Sequence, residues 1–400
     1  MRASTGLASI GSSRPDLVTS HPEEVDSENW DFTGEDTQYL LHSIHPYPAR
    51  FVPQIPRRAI SRWSSLDDLV LDPFCGSGTT LLEALLSGRD SIGVDNNAVA
   101  TLVSRAKVAQ YDEPSLQAVE SLVRKVRARL AGNSVLVPLA RPDVPPNYPT
   151  RSKWFTPEAV ADLSWLRGQI HDLPGLSEEL ALAVFSSVVV RASNQDSDTR
   201  YAATSRQYVP RSALTWWTSR ASAAVARARE VIRLRKPSTH TVVTADSRNL
   251  PFIEDEGVTL IVTSPPYLNA YDYHKYHRHR LHWIGADVEF ARDMEIGGHD
   301  VFTRPGAAPE PYFADMEQCM SEWHRTLREG GHALVAVGDA VVSHEFVPVG
   351  DRLVKIASAL GFSLERRWIR HIDSSRKSFN QSARIKREHL LLFRKRQSLP

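Results

Sequence analysis

Two kinds of hydrophobic pattern divide this chain of 400 residues. Short aliphatic runs bounded by turn residues read as strands at LVLD (69–72), SIGVD (91–95), TVVTAD (241–246), TLIVTSPPY (259–267) and HALVAVGD (332–339). Helical spacing begins near Thr79 and near Asn97, and it recurs over Tyr312–Leu327. From 112 to 237 strand signals fade and helical period takes over, at Ser115–Leu130, Pro157–Ile170, Ser177–Ala192 and Ala213–Leu234. Within that stretch VPLARPDVPPNYPT (137–150) reads as a proline-rich surface segment. GFSLERRWIRHI (361–372) and EHLLLFRK (388–395) predict a closing antiparallel pair. The pattern predicts a tail over 1–36, one α/β domain over 37–111 and 238–396, and a mostly helical insertion over 112–237.

Composition narrows the class without naming a function. Hydrophobic residues make up 42% and charged residues 24%, the balance of a soluble globular protein. The net charge of +1 does not mark the whole chain as a polyanion binder, but charge is concentrated locally. Residues 365–396 hold eleven Lys/Arg against three acids. Cys75 and Cys319 form no disulfide framework and suit a reducing compartment. No apolar run approaches the ~18 residues of a membrane span. MRASTGLASIGSSRPD lacks the apolar core of a secretion signal. The expectation is a cytoplasmic protein with no membrane partner.

The segment DPFCGSGTT (72–80) lies between a strand and a helix. Gly76 and Gly78 permit a tight turn and close approach of a ligand. Asp95 ends the next strand, where a carboxylate can accept both hydroxyls of a ribose. Leu81 stands where the dinucleotide fingerprint needs its third glycine, and the Gly-Lys-Ser/Thr of a P-loop is absent. Asp72 would repel a pyrophosphate but can receive an ammonium group. A nucleoside joined to an amino acid satisfies both acids, which points to S-adenosylmethionine. A tight βα turn with a stabilising acid is the simpler alternative for the glycines alone.

In VTSPPYLNAYDY (262–273) an aliphatic strand runs directly into Ser264, Pro265, Pro266 and Tyr267. Two consecutive prolines cannot donate to a ladder and fix φ, so the chain leaves the sheet in a stiff extended form. The stiffness either ends a strand or holds Ser264 and the Tyr267 ring in place for chemistry.

Together DPFCGSGTT and TSPPY resemble the DNA amino-methyltransferases, which methylate cytosine N4 or adenine N6. HPYPARF (45–51) resembles the segment of that family that closes over the methionine end of the cofactor. The resemblance covers about residues 37–111 and 238–396. It implies a mostly parallel seven-stranded sheet of the S-adenosylmethionine-dependent methyltransferase type, with one antiparallel strand near the edge. The order of motifs is permuted relative to many enzymes with this signature, since the glycine turn precedes SPPY. The long insertion is a second departure.

The resemblance also implies roles. Ser264 Oγ and the Pro265 carbonyl would accept the two N–H bonds of the target amino group, and Tyr267 would stack on a flipped-out base. Cofactor contacts would come from Phe51, Asp72, Phe74, Gly76, Gly78, Thr79, Asp95, Asn96 and Asp246, the last accepting from the adenine amino group. No metal is implied. Ser before Pro-Pro favours cytosine N4, with adenine N6 as the runner-up. An RNA base methyltransferase and a non-catalytic nucleic-acid-binding subunit are the remaining alternatives. DNA is the implied partner, with a cognate restriction endonuclease if the enzyme belongs to a modification system.

Three basic stretches are candidate DNA contacts. YHKYHRHRLHW (273–283) reads as a basic aromatic helix touching phosphates; a zinc site does not fit its spacing, and a solvated polar helix is the alternative. Residues 191–220 interleave arginines, including Arg206 and Arg211, with Tyr201, Tyr208, Trp216 and Trp217, which suits either DNA contacts or a helical core with charged edges. SSRKSFNQSARIK (374–386) is the third.

Overall fold

A computed structural model describes residues 28–132, 148, 150–304, 306–371 and 387–397. Seven strands form the central sheet: β1 (Leu69–Asp72), β2 (Asp90–Asp95), β3 (His240–Thr244), β4 (Val258–Thr263), β5 (Leu327–Gly338), β6 (Phe362–His371) and β7 (Arg387–Lys395). Their spatial order is β6-β7-β5-β4-β1-β2-β3. β1 through β5 pair in parallel, whereas β7 runs antiparallel between β5 and β6. This is the mostly parallel seven-stranded sheet that the family resemblance implies, with its antiparallel strand next to one edge.

Ten helices of nine or more residues are described: α1 (Gln54–Trp63), α2 (Thr79–Ser87), α3 (Ala98–Val108), α4 (Glu113–Ala131), α5 (Pro157–His171), α6 (Gly175–Val189), α7 (Ser212–Leu234), α8 (Tyr273–Ile284), α9 (Glu310–Thr326) and α10 (Val349–Ala359). The sheet's two faces follow the period of two along each strand. Val70, Leu260, Val262 and Leu334 pack with Ile55 and Ile60 of α1. Leu71, Ile261 and Val335 face Met316, Trp323 and Leu353 of α9 and α10. Helices α4 to α7 do not make a separate core. Val123, Phe185 and Trp217 join Leu81, Leu82 and Val103 of α2 and α3 in one apolar cluster.

Several boundaries differ from the sequence expectation. The tail expected over 1–36 lies partly outside the described residues, but Trp30 is buried between Trp63, stacked at 6.3 Å, and Trp368 at 5.1 Å. The guanidinium of Arg58 lies over its ring at 4.8 Å. One large ring in a Ser- and acid-rich stretch carries no period, so its burial is invisible in pattern. β5 starts five residues before the predicted 332, because the ladder jumps from Val258↔Leu327 to Leu260↔His332 across a bulge holding Gly330 and Gly331. A short hairpin, Gln195–Ser197 with Arg200–Ala203, interrupts the helical insertion. The expected segments 137–150 and 374–386 lie almost wholly outside the described residues.

Arg211, expected as a phosphate contact, instead holds helices together. It precedes α7 with φ +71°, and its N–H donates to the buried Asp162 at 2.6 Å. Its guanidinium donates to the carbonyls of Leu130 and Gly132, at 3.3 and 3.0 Å, where α4 ends. Trp217 is fully buried and donates to the Ala181 carbonyl at 3.1 Å. The interleaved stretch 191–220 is therefore largely helical core with charged edges: Trp217 fills the α6–α7 contact, and the Tyr208 hydroxyl donates to Asp162 of α5 at 2.6 Å. Arg211→Ala is expected to cost about 1–2 kcal/mol of stability through the lost capping bonds while leaving ligand affinity unchanged. Thermal and urea unfolding check the first part, and cofactor titration checks the second.

Candidate active site

The carboxyl ends of β1, β2, β3 and β4 open on one cavity of about 840 Å³, its mouth included. Crevices at this end of a parallel sheet are where α/β folds bind ligands. Ten sequence-predicted residues lie on its wall: Phe51, Asp72, Phe74, Gly76, Thr79, Asp95, Asn96, Asp246, Ser264 and Pro266. Gly78, Pro265 and Tyr267 do not line it.

The turn after β1 is built by close packing. Gly76 and Gly78 have φ of +47° and +70°, and the Gly78 N–H donates to the Cys75 carbonyl at 2.7 Å. A Cβ on Gly78 would lie 2.8 Å from Ser104 Cα, so α3 leaves no room for a side chain there. Ser104 Oγ donates to the Gly76 carbonyl at 3.0 Å, and the Cys75 N–H donates to the Val94 carbonyl at 2.9 Å. Gly78 thus shapes the turn from behind, while Gly76, Ser77 and Thr79 face the cavity.

Asp95 accepts from the Gly76 N–H and the Asn97 N–H, both at 2.9 Å. One N–H on each oxygen leaves a further lone pair on each. Removal from water pushes its carboxyl up to about 7, against those two hydrogen bonds, with the neighbouring Asp72 adding to the rise. Asp72 is buried at the end of β1. It accepts from Thr263 Oγ1 at 2.8 Å and the Phe74 N–H at 3.2 Å, and burial pushes it up to about 6. Two carboxyls are therefore held in one cavity at a cost that a bound cation would offset.

Asp246 lines the same wall but already accepts from the backbone N–H of Arg248 at 3.0 Å and from its guanidinium at 2.9 Å. Arg248 also holds Asp315 at 2.7 Å. The HPYPARF segment covers the cavity with Tyr47, Ala49, Arg50 and Phe51. Tyr47 stacks on His277, their rings 4.8 Å apart and 29° from parallel, and Arg50 donates to the His42 carbonyl at 2.6 Å. Thr80 Oγ1 on α2 donates to the Val262 carbonyl at 3.2 Å, tying the glycine turn to the strand that delivers Ser264. Pro265 is buried behind that wall, and the Pro266 carbonyl accepts from the Tyr312 hydroxyl at 3.0 Å. The Tyr267 hydroxyl donates to Glu388 of β7 at 2.8 Å.

Further wall residues escaped the sequence reading. Tyr47 and Arg50 stand inside the HPYPARF segment, so their signal was present. Tyr273, Met294 and Glu295 had none: Glu295 arrives from a loop twenty-two residues beyond Tyr273, accepts its N–H at 2.5 Å and pairs with His274. Cys75 also lines the cavity, but burial pushes its thiol well above the usual range, with Asp95 adding to the rise. It is therefore not a thiolate nucleophile.

The basic helix after SPPY needs correction. His277, His279, Arg280 and Trp283 of α8 are buried, and Arg280 donates to the Ser186 carbonyl of α6 at 3.1 Å and pairs with Asp198. Burial pushes His279 down to about 3 and His282 down to about 4, so both rings are neutral. This helix packs into the insertion; its charge pattern misled because the partner surface supplies the acceptors.

Comparison with known proteins agrees with these motifs. The family described as DNA methylase, N6_N4_Mtase, matches residues 17–103. Type II methyltransferase M.MjaII of Methanocaldococcus jannaschii is 21% identical, over 75% of this chain and 72% of its own length. Type II methyltransferase M.MvaI of Kocuria varians is 28% identical over 41% of this chain, and DNA adenine methyltransferase YhdJ of Escherichia coli is 32% identical over 28%. The matched regions span 37% and 36% of those two relatives. Among the described residues no helix is long and apolar enough to cross a membrane. The glycine turn, its two strand-end acids and Ser264 of SPPY meet in one cavity at the carboxyl edge of the sheet, and the match over residues 17–103 with the Type II methyltransferase relatives supports a member of the DNA amino-methyltransferase family, whose methyl donor is S-adenosylmethionine.

Proposed function

We propose that this protein methylates the exocyclic N4 of a cytosine flipped out of DNA. The observation that carries the reading is the meeting of Asp72, Asp95 and Ser264 on one cavity wall. S-adenosylmethionine, when bound, supplies an electrophilic methyl group. Asp72 suits its ammonium group, and Asp95 suits its ribose through the lone pairs left by Gly76 and Asn97. Phe51 and Phe74 supply apolar walls, Thr79 backs the turn, and Asn96 and Asp246 lie toward the nucleoside. Arg248 already occupies part of Asp246, so that carboxylate has reduced capacity for an adenine amino group.

An exocyclic amino group is a weak nucleophile because its lone pair is delocalised into the ring. Ser264 Oγ and the Pro265 carbonyl are suited to accept its two N–H bonds, which draws the nitrogen toward tetrahedral geometry and aims its lone pair at the cavity. Pro265–Pro266 fixes those acceptors relative to the strand end, and positioning supplies much of the advantage. Tyr267 offers a ring for stacking on the base. Cys75 and Cys319 are both buried and pushed well up or up from the thiol range, so neither suits the thiolate addition that carbon-5 methylation needs.

Ser before Pro-Pro supports cytosine. The adenine-methylating relative from Escherichia coli supports the second reading, adenine N6. The insertion, 112–237, is proposed to carry target recognition, with the exposed Arg206 among its contacts. The relatives named Type II methyltransferases support a restriction endonuclease as a cellular partner.

Mass spectrometry of nucleosides from DNA treated with the enzyme tests the chemistry. N4-methylcytosine is expected; N6-methyladenine would replace the leading reading with the second, and 5-methylcytosine would overturn the mechanism. Ser264→Ala is expected to slow methyl transfer by roughly 1–3 kcal/mol of barrier, the scale of a lost hydrogen bond to a buried group, with cofactor affinity nearly unchanged. Asp95→Ala is expected to weaken cofactor binding by about 1.5–3 kcal/mol, read by isothermal titration on folded protein.

A further inference from the structure

The Tyr267 hydroxyl is not at the end of a free side chain. It donates to Glu388 Oε1 at 2.8 Å. Glu388 Oε2 accepts from Nη1 of Arg370, whose side chain is only 7% exposed. Arg370 Nε in turn donates to the Trp30 carbonyl at 3.1 Å. Glu388 and Arg370 are paired residues of the antiparallel β6–β7 ladder, and Glu388 lies opposite Gly338, the last residue of β5. That position is the same carboxyl edge of the sheet from which β4 delivers Ser264. None of the glycine-turn or SPPY motifs contains Glu388 or Arg370.

From this arrangement we infer that Glu388, seated on Arg370, is a positioning residue for methyl transfer: it fixes the Tyr267 hydroxyl and, through it, the ring offered to the flipped base. The inference rests on the proposed role of the SPPY segment. A carboxylate can only accept, so the phenol proton points at Glu388. Without Glu388 the phenol loses its acceptor on the strand edge, and the ring keeps only its backbone anchor. The ring of Tyr267 is fixed at both ends by the same bonds, at its hydroxyl by Glu388 and at its backbone by Pro266.

The test is a double-mutant cycle in the full-length protein, reading kcat, cofactor affinity and the fluorescence of 2-aminopurine placed at the target position. Glu388→Ala is expected to lower kcat roughly ten-fold, within the range of coupling between residues in direct contact, with cofactor affinity unchanged. Glu388→Gln keeps an acceptor oxygen and the side-chain volume, so it should retain more activity than Glu388→Ala. In a Tyr267→Phe background the hydroxyl is gone, and Glu388→Gln and Glu388→Ala should each cause little further loss. Losses that multiply independently of Tyr267→Phe would overturn the inference, because Glu388 would then act on the fold alone. Glu388→Gln guards against a folding failure caused by stranding Arg370, and its melting curve is recorded alongside. If Tyr267→Ala itself leaves both kcat and 2-aminopurine fluorescence unchanged, the parent reading of Tyr267 fails and this inference falls with it. An effect of Tyr267→Ala combined with independent losses sinks only the role of Glu388.

Discussion

Two carboxyl groups held in one cavity govern the rest of this structure. Asp72 and Asp95 end neighbouring strands, and each is kept from water at a cost that raises its pKa, to about 6 and about 7. Most of the local architecture is organised around that cost. The left-handed Gly76 turns its backbone N–H toward Asp95, Thr263 gives its hydroxyl to Asp72, and α3 packs so closely that only glycine fits at 78. Both pKa values lie above those of unfolded aspartate. These groups therefore favour the free folded state most at acid pH, and that contribution is lost as pH rises through about 6 to 7. A cationic ligand reverses the balance by stabilising the ionised forms.

The same edge of the sheet assembles the second half of the site. β4 runs from an apolar core into a proline pair, so Ser264 leaves the strand on a fixed path. Thr80 binds the Val262 carbonyl and Tyr312 binds the Pro266 carbonyl, at 3.2 and 3.0 Å. The two acids and Ser264 thus share one rigid frame, which under the proposed function is the condition for catalysis by positioning. The antiparallel strand β7 adds Glu388 to that edge, a contribution that a wholly parallel sheet would have to supply from a loop.

The sheet and the cavity-facing acids were legible in the sequence because their signals are local. A strand, a glycine turn, a helix and a strand-end acid fall within thirty residues, and period-two burial follows from the pleat. Trp30, Glu295 and the β6–β7 pair carried no comparable signal for the site. They reach it through long-range packing, from opposite ends of the chain. The histidine-rich helix failed for the converse reason. Its residues look solvated in isolation, yet the acceptors and rings that bury them come from α6 and the hairpin at 195–203. Arg211 misled in the same way, since a cap and a phosphate contact draw on one residue type.

Under the proposed function the positive charge of the methyl donor offsets the buried carboxyls. Isothermal titration of S-adenosylmethionine near pH 6.5, in two buffers of different ionisation enthalpy, reads the protons exchanged on binding. The account predicts release, on the order of half to one proton per site, as binding draws Asp72 and Asp95 to their ionised forms. The release should shrink toward zero by about pH 8.5, where both groups are already ionised, and fall in Asp95→Asn. Binding with no proton release at pH 6.5, at full affinity, would contradict it.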